Sequence, residues 1–316
     1  MSFTTPVGFI IFNRPDLTEQ TFQAIAKAKP KTLLVAADGP RSNRPGEAEK
    51  CEQTRAVIQK VDWDCEVLTD FSEVNLGCGR RESSAFDWIF SQVEEAILLE
   101  DDTFPSPSFF SFCETMLERY RHDERIMHIN GDNSANQGRT QDSYYFSKYV
   151  HGWGWASWRR AWKHYDYQMK TWPDFRDEKL LQSLCEAQFE QKYWTEVFNQ
   201  MYEDPQVIDT WDYQWLYACW SQNGLAITPN QNLISNIGFN RPDAAHTVGD
   251  SPRSKLAIED LWEISHPPFV TRNWEADNHT LDKVFNGKKL RQMDTLPGRL
   301  RQRLSSVKRK LTPSTK

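Results

Sequence analysis

Strand-length apolar runs alternate with helix-length stretches over the first 130 residues, and the runs end in polar or acidic groups. The apolar runs lie at 7–12, 32–37, 65–68, 96–99 and 126–129, and helical patterns fill 16–28, 45–60, 79–92 and 106–120. This alternation predicts an α/β domain, a mostly parallel sheet flanked by helices on both faces. Right-handed crossovers then bring the strand C-termini to one edge, where open sheets of this class hold ligands. That edge carries Asn13-Arg14-Pro15 after the first run, Asp38-Gly39-Pro40-Arg41 after the second and Glu100-Asp101-Asp102 after the fourth.

Composition narrows the function classes. The 316 residues can enclose a full core, and the formal net charge of -6 argues against a nucleic-acid partner. No stretch nears the roughly 20 apolar residues that span a bilayer. The apolar opening at 7–12 is too short for an export signal and lacks a basic start, so a cytoplasmic protein is expected. The six cysteines have no CxxC spacing and are expected to be reduced structural thiols. Thirteen tryptophans and eighteen phenylalanines suit sugar rings, but suit a core equally.

Residues 131–250 change character, with Gly, Trp and Asn frequent, as in His151-Gly152-Trp153-Gly154-Trp155. Helical stretches follow near 180–203 and 211–221. No linker separates the halves, so residues 1–250 are expected to form one catalytic domain. Its 1–130 half would bind nucleotide and metal, and its 131–250 half the acceptor. A C-terminal extension covers 251–287, and 288–316 form a basic tail. In that tail Leu296, Leu300, Leu304, Val307 and Leu311 recur on one helical face among many Lys and Arg. Such a segment, here 295–316, can lie on an anionic membrane surface; a solvated tail is the competing reading.

The acidic triplet carries the chemistry. Transfer of a sugar from a nucleoside-diphosphate donor expels the nucleoside diphosphate, and a divalent cation neutralises the charge that builds on its phosphates. Mn²⁺ or Mg²⁺ takes carboxylate oxygens and keeps positions open for phosphate and water. Glu100-Asp101-Asp102, directly after a buried strand, offers such ligands; a solvated acidic turn is the alternative. Arg80 or Arg81, at a helix start after Asn75-Leu76-Gly77, could grip a diphosphate through its planar fork. Asn13 and Arg14 stand where nucleotide contacts are made. His151 is a candidate acceptor contact, and Trp153, Trp155 and Trp158 a stacking platform for the acceptor.

The run EEAILLEDDTFPSPSFFSF resembles the metal-binding DxD-type segment of GT-A glycosyltransferases, especially the N-acetylglucosaminyltransferase I family. The resemblance extends to VGFIIFNRPDLTEQTFQAI, LLVAADGPR, NLGCGRRESSAFDWIF, HGWGWASWRRAW and TWDYQWLYACWSQNGLAITPNQNLISNIG, covering about 6–247. It implies a GT-A (Rossmann-like) fold with Asp102 on the metal, Asp101 beside it and Asp38 on the nucleotide base. Asp212 would be the catalytic base, although the second Asp of that family motif is Tyr213 here, and a first-turn helix carboxylate is the local alternative. Asp209 and Asp174 are possible substitutes. A late His, here His246, would join the metal.

The resemblance further implies a metal-dependent, inverting transfer, with a UDP-sugar such as UDP-GlcNAc favoured as donor. The chain then looks like a bacterial enzyme of polysaccharide biosynthesis at the inner membrane surface, acting on a glycan or lipid-linked glycan. Two rival classes remain: a non-catalytic carbohydrate-binding protein on the same scaffold, and a metal-dependent phosphoryl-transfer enzyme. The second lacks a GxxxxGK[ST] loop.

Overall fold

A computed structural model describes residues 3–133, 135, 138–241, 243 and 256–295. The first half contains β1 (Val7–Ile11), α1 (Pro15–Ala28), β2 (Thr32–Ala37), α2 (Glu47–Ala56), β3 (Glu66–Phe71) and α3 (Cys78–Gln92). It continues with β4 (Glu95–Glu100), β5 (Thr103–Pro105) and α4 (Pro107–Arg119). The second half contains β6 (Ile126–Asn130), β7 (Tyr144–Ser147), β8 (Trp155–Trp158), α5 (Arg159–Trp162), α6 (Trp172–Asp177) and α7 (Leu181–Leu184). After these come α8 (Gln188–Glu203), α9 (Asp212–Ser221), β9 (Leu225–Pro229), β10 (Ile234–Asn236), α10 (Trp274–Val284) and α11 (Gly287–Asp294).

The described strands form a sheet in the order β3-β2-β1-β4-β8-β6-β9-β7, beside a small β10-β5 ribbon. The first four pair in parallel, as the alternation predicts. Beyond β4 the sheet is mixed: β8 runs antiparallel to β4 and β6, and β7 antiparallel to β9. A parallel neighbour needs a crossover of about a dozen residues, usually helical. Among the described residues from 131 to 158 no helix provides one, so β7 and β8 reverse direction.

Period-2 geometry sorts the core into two layers. Phe9, Leu33, Val35, Ile97 and Leu99 face one side with Phe22 and Ile25 of α1 and Phe109, Phe112 and Met116 of α4. Ile10, Leu34, Ala36, Ala96 and Leu98 face the other with Phe86 and Ile89 of α3, Trp162 of α5, Trp194 of α8 and Trp215 of α9. Gly8 is required where α3 crosses β1: a Cβ there would lie 2.7 Å from Ile89 Cδ1 and 2.6 Å from Leu98 Cδ2. Trp155 stacks on Trp211 with ring centroids 5.0 Å apart, and Phe86 meets Trp211 at 4.7 Å. Eight of the thirteen tryptophans are buried, so most of the aromatic excess belongs to the core.

The helical stretch at 180–203 is divided into α7 and α8. The Leu184 carbonyl at the end of α7 accepts from Lys148 Nζ (3.1 Å) and Arg272 Nη1 (3.2 Å), which satisfies a helix end that local pattern could not reveal. α10 and α11 close over this region. Asp277 accepts from Ser147 Oγ at 2.6 Å, and Lys192 pairs with Asp294 at 2.8 Å. α11 thus carries Lys288, Lys289 and Arg291, the start of the basic tail, against α8. Residues 296–316, with the remaining tail leucines, lie outside the described residues. Among the described residues no helix is long and apolar enough to cross a membrane.

Candidate functional site

Two adjoining cavities open at the strand ends. The smaller, ≈ 220 Å³, is bordered by Asn13, Arg14, Asp38, Arg81 and Asp101. The larger, ≈ 510 Å³, is bordered by Asp102, His151, Trp153, Asp212, Tyr193 and Phe285. Arg14, Cys78, Glu82 and Glu100 border both and mark their junction.

In the smaller cavity the charged groups hold one another. Asp38, at the end of β2, accepts from the amides of Gly39 (2.8 Å) and Leu76 (2.9 Å) and from Asn75 Nδ2 (2.8 Å). Burial pushes its carboxyl up from the usual range, and those amide bonds oppose the shift. Asn13 donates to Glu47 at 2.9 Å, and Arg41 clamps the same carboxylate. Arg81 is buried and paired with Asp70 at 2.8 Å. Arg80, one position earlier, is exposed and borders neither cavity, which corrects its expected diphosphate role. Asp209 accepts from the amides of Cys78 (3.1 Å) and Gly79 (3.0 Å) and so caps the start of α3. Asp174, on α6, is exposed and away from both cavities.

The acidic turn sits at the junction. Thr103 Oγ1 closes it against the Glu100 amide at 2.8 Å, and the Asp102 carbonyl accepts from the Ile237 amide at 2.8 Å. Arg14 bridges both aspartates, donating to Asp102 Oδ2 at 2.9 Å and to both oxygens of Asp101. The Gly238 position presses on the turn: a Cβ there would stand 2.4 Å from Asp102 Oδ2. Burial raises the Asp101 carboxyl to about 6 despite Arg14, with the Asp102 charge adding to the rise. Burial also raises Glu82 to about 8 and lifts Glu100 well above its ordinary value, each reinforced by neighbouring carboxylates.

Among the described residues no group of three or more His, Cys, Asp or Glu forms a ready-made metal cage. The turn nevertheless fits a cation that takes most of its ligands from phosphate and water. Asp102 Oδ1 is buried and has no hydrogen-bond partner, an acceptor left open beside an excess of negative charge. His246 lies outside the described residues.

On the larger cavity's wall Asp212 begins α9 and accepts from Thr210 Oγ1 at 2.6 Å, so its first-turn position and its place at the cavity hold together. His151 Nδ1 stands 3.1 Å from Asp132 Oδ2. Trp153 borders the cavity and packs edge-on to Phe239 at 5.5 Å. Trp155 does not: it is 1 % exposed on β8, inside the aromatic core, and Trp158 is buried there as well. Both stand on a strand whose residues are buried on both sheet faces, which corrects the expected stacking platform at these two positions: neither indole offers a free face for a sugar.

Several residues lining the cavities or standing behind their walls escaped the sequence. Glu82 had a legible signal, since Cys78, Glu82, Phe86 and Ile89 follow helical spacing and place a carboxyl on the apolar face of α3. Asp132 had none. Tyr193 and Phe285 come from α8 and the α10–α11 junction, brought to the site by packing alone.

No family model and no curated protein matches the sequence. Part of the backbone is similar to 4-diphosphocytidyl-2C-methyl-D-erythritol synthase from Anaerococcus prevotii DSM 20548, at 10 % identity over 49 % of this chain and 71 % of that one, TM-score 0.31. HddC from Yersinia pseudotuberculosis overlaps at 8 % identity over 49 % and 77 %, TM-score 0.29. The inositol-1-phosphate CTP transferase from T. maritima overlaps at 10 % over 49 % and 72 %, TM-score 0.27.

Proposed function

We propose that the chain is a metal-dependent glycosyltransferase of the GT-A type, moving a sugar from a nucleoside-diphosphate donor to a glycan hydroxyl. One arrangement supports this above all. Asp102, with its open buried oxygen, stands where a narrow polar cavity ending at Asp38 meets a wider one bearing Asp212 and His151. A donor laid through the narrow cavity would place its base near Asp38, its diphosphate near Asp102 and its sugar at the junction. UDP as nucleotide, N-acetylglucosamine as sugar and inversion follow from the family resemblance.

A bound Mn²⁺ or Mg²⁺ would neutralise the diphosphate as it leaves. Asp102 would hold it, while Arg14 keeps Asp101 and Asp102 in place and Asn13 and Asp38 orient the nucleotide. A group lining the larger cavity must accept the acceptor's proton, and Asp212 and His151, which border it, are the candidates. A lipid-linked glycan at the inner membrane face, met by the basic tail, is the acceptor this reading favours.

Calorimetric titration with a panel of nucleoside diphosphates, with and without Mn²⁺, tests the proposal. Mn²⁺-dependent binding of one nucleotide, weakened at least ~10-fold in Asp102→Ala, is expected. A folded protein that binds none of them overturns it.

A further inference from the structure

His151 is held more firmly than an acceptor-contacting loop residue needs to be. Its amide donates to Asn130 Oδ1 at 2.7 Å, and Asn130 is itself fixed by the Tyr149 carbonyl (3.2 Å) and Thr228 Oγ1 (2.9 Å). Its carbonyl lies 3.2 Å from His128 Nε2, and His128 Nδ1 accepts from Trp215 Nε1 at 3.0 Å. The His128 ring stacks on Trp155 at 5.0 Å. His128 is therefore fixed with its hydrogen on Nε2, and burial, with the nearby His151, keeps it neutral. The core indole of Trp155 thus packs on the ring that meets the His151 carbonyl.

The imidazole of His151 is held as well. Asp132 is 0 % exposed and its Oδ2 faces His151 Nδ1 at 3.1 Å. Facing a carboxylate, which only accepts, a neutral His151 carries its hydrogen on Nδ1 and its lone pair on Nε2. That nitrogen has no hydrogen-bond partner among the described residues, and the residue lines the larger cavity. A Cβ at the neighbouring Gly152 would lie 4.0 Å from Asp212 Cβ, so His151 and Asp212 flank one stretch of wall. One oxygen of Asp212 is already taken by Thr210.

We infer that His151, oriented by Asp132, is the catalytic base for the transfer, while Asp212 aligns the acceptor hydroxyl; the inference rests on the transferase reading above. In the step, the acceptor's O–H proton passes to His151 Nε2 and the oxygen's electron pair forms the bond to the anomeric carbon. The bond from that carbon to the diphosphate oxygen breaks, and its pair leaves on the diphosphate. The imidazolium is stabilised by Asp132 until the proton passes to water. Asp132 is a positioning residue.

The test uses the full chain with Mn²⁺ and UDP-N-acetylglucosamine, following UDP release by slow transfer to water. His151→Gln should lower kcat by ~10²- to 10⁴-fold, with donor KM and UDP binding unchanged within about threefold. Asp132→Asn should also act on kcat rather than KM. ¹⁵N NMR at pH 8 reads the pair whether or not turnover is measurable. Wild-type His151, assigned by its loss in His151→Gln, should carry its hydrogen on Nδ1, and Asp132→Asn should abolish that preference. A kcat within about threefold of wild type in His151→Gln, or an Nε2–H His151 in the wild type, overturns the inference. So does loss of turnover in Asp212→Asn with His151→Gln changing KM alone. Absence of Mn²⁺-dependent binding of any nucleoside diphosphate in the wild type sinks the transferase reading instead, and the NMR arm still reports on the pair.

Discussion

The two cavities satisfy their polar groups in opposite ways. In the smaller cavity the anions are answered within the protein: Asp38 by two amides and Asn75, Glu47 by Arg41 and Asn13, Asp101 by Arg14, Asp209 by the start of α3. On the larger side Asp102 Oδ1 and His151 Nε2 make no hydrogen bond among the described residues. Saturated groups build a rigid cradle, and open ones are where a ligand or a proton can be received. The junction belongs to neither regime. There Glu82 and Glu100 crowd Asp101 and Asp102, and Arg14 is the cation that bridges the aspartates.

Removing that cation should break the contrast most. Arg14→Ala leaves two buried carboxylates without their partner, a change that costs about 3–5 kcal/mol in comparable settings. Thermal unfolding without divalent ions should show the drop, and added Mn²⁺ should restore part of it by supplying positive charge at Asp102. An unchanged midpoint would mean that the turn does not depend on Arg14.

Glu82 gives an effect that depends on pH. Its folded value of about 8 lies above the ordinary carboxylate range, chiefly through burial. Between the unfolded value near 4.3 and about 8 the native state therefore holds the extra proton, and wild-type stability falls as pH rises through that window. Glu82→Gln removes the ionisation. In the absence of divalent ions its midpoint relative to wild type should rise by at least ~2 °C between pH 5 and pH 8. A pH-independent difference would show that Glu82 is not buried as an acid.

Asp209 sharpens the comparison with the smallest effect. Its place in the chain is the second half, yet its carboxylate borders the smaller cavity. Asp209→Ala should cost about 1–2 kcal/mol as a lost helix cap, while Asp209→Asn, whose single carbonyl oxygen keeps one of the two amide bonds and which tolerates the positive φ of 51°, should lose less stability than the alanine variant and keep turnover near wild type. A large kcat loss in Asp209→Asn would restore it as a base.

Legibility follows the same divide. The parallel half was readable because β1, β2 and β4 are unbroken apolar runs between turn residues, and their polar ends fall on one edge whatever the details of packing. Asn13, Arg14, Asp38, Asp101 and Asp102 can be placed on that edge from sequence for this reason. Trp155 was misplaced because a four-residue strand of Trp, Ala, Ser and Trp, buried on both faces, carries no alternation to mark it. Asp209 was read as a possible base because only the fold places it against the amides of Cys78 and Gly79, about 130 positions away in the chain.

By itself, then, the sequence determined the α/β class, the first four strands and the acidic turn, since these depend on local period and on the geometry of a parallel crossover. Tertiary structure alone decided that Asp132 would stand behind His151, that Glu82 would face the aspartates and that Phe285 would wall the larger cavity. Those pairings join elements far apart in the chain through an aromatic core, and no local pattern records which buried faces will meet.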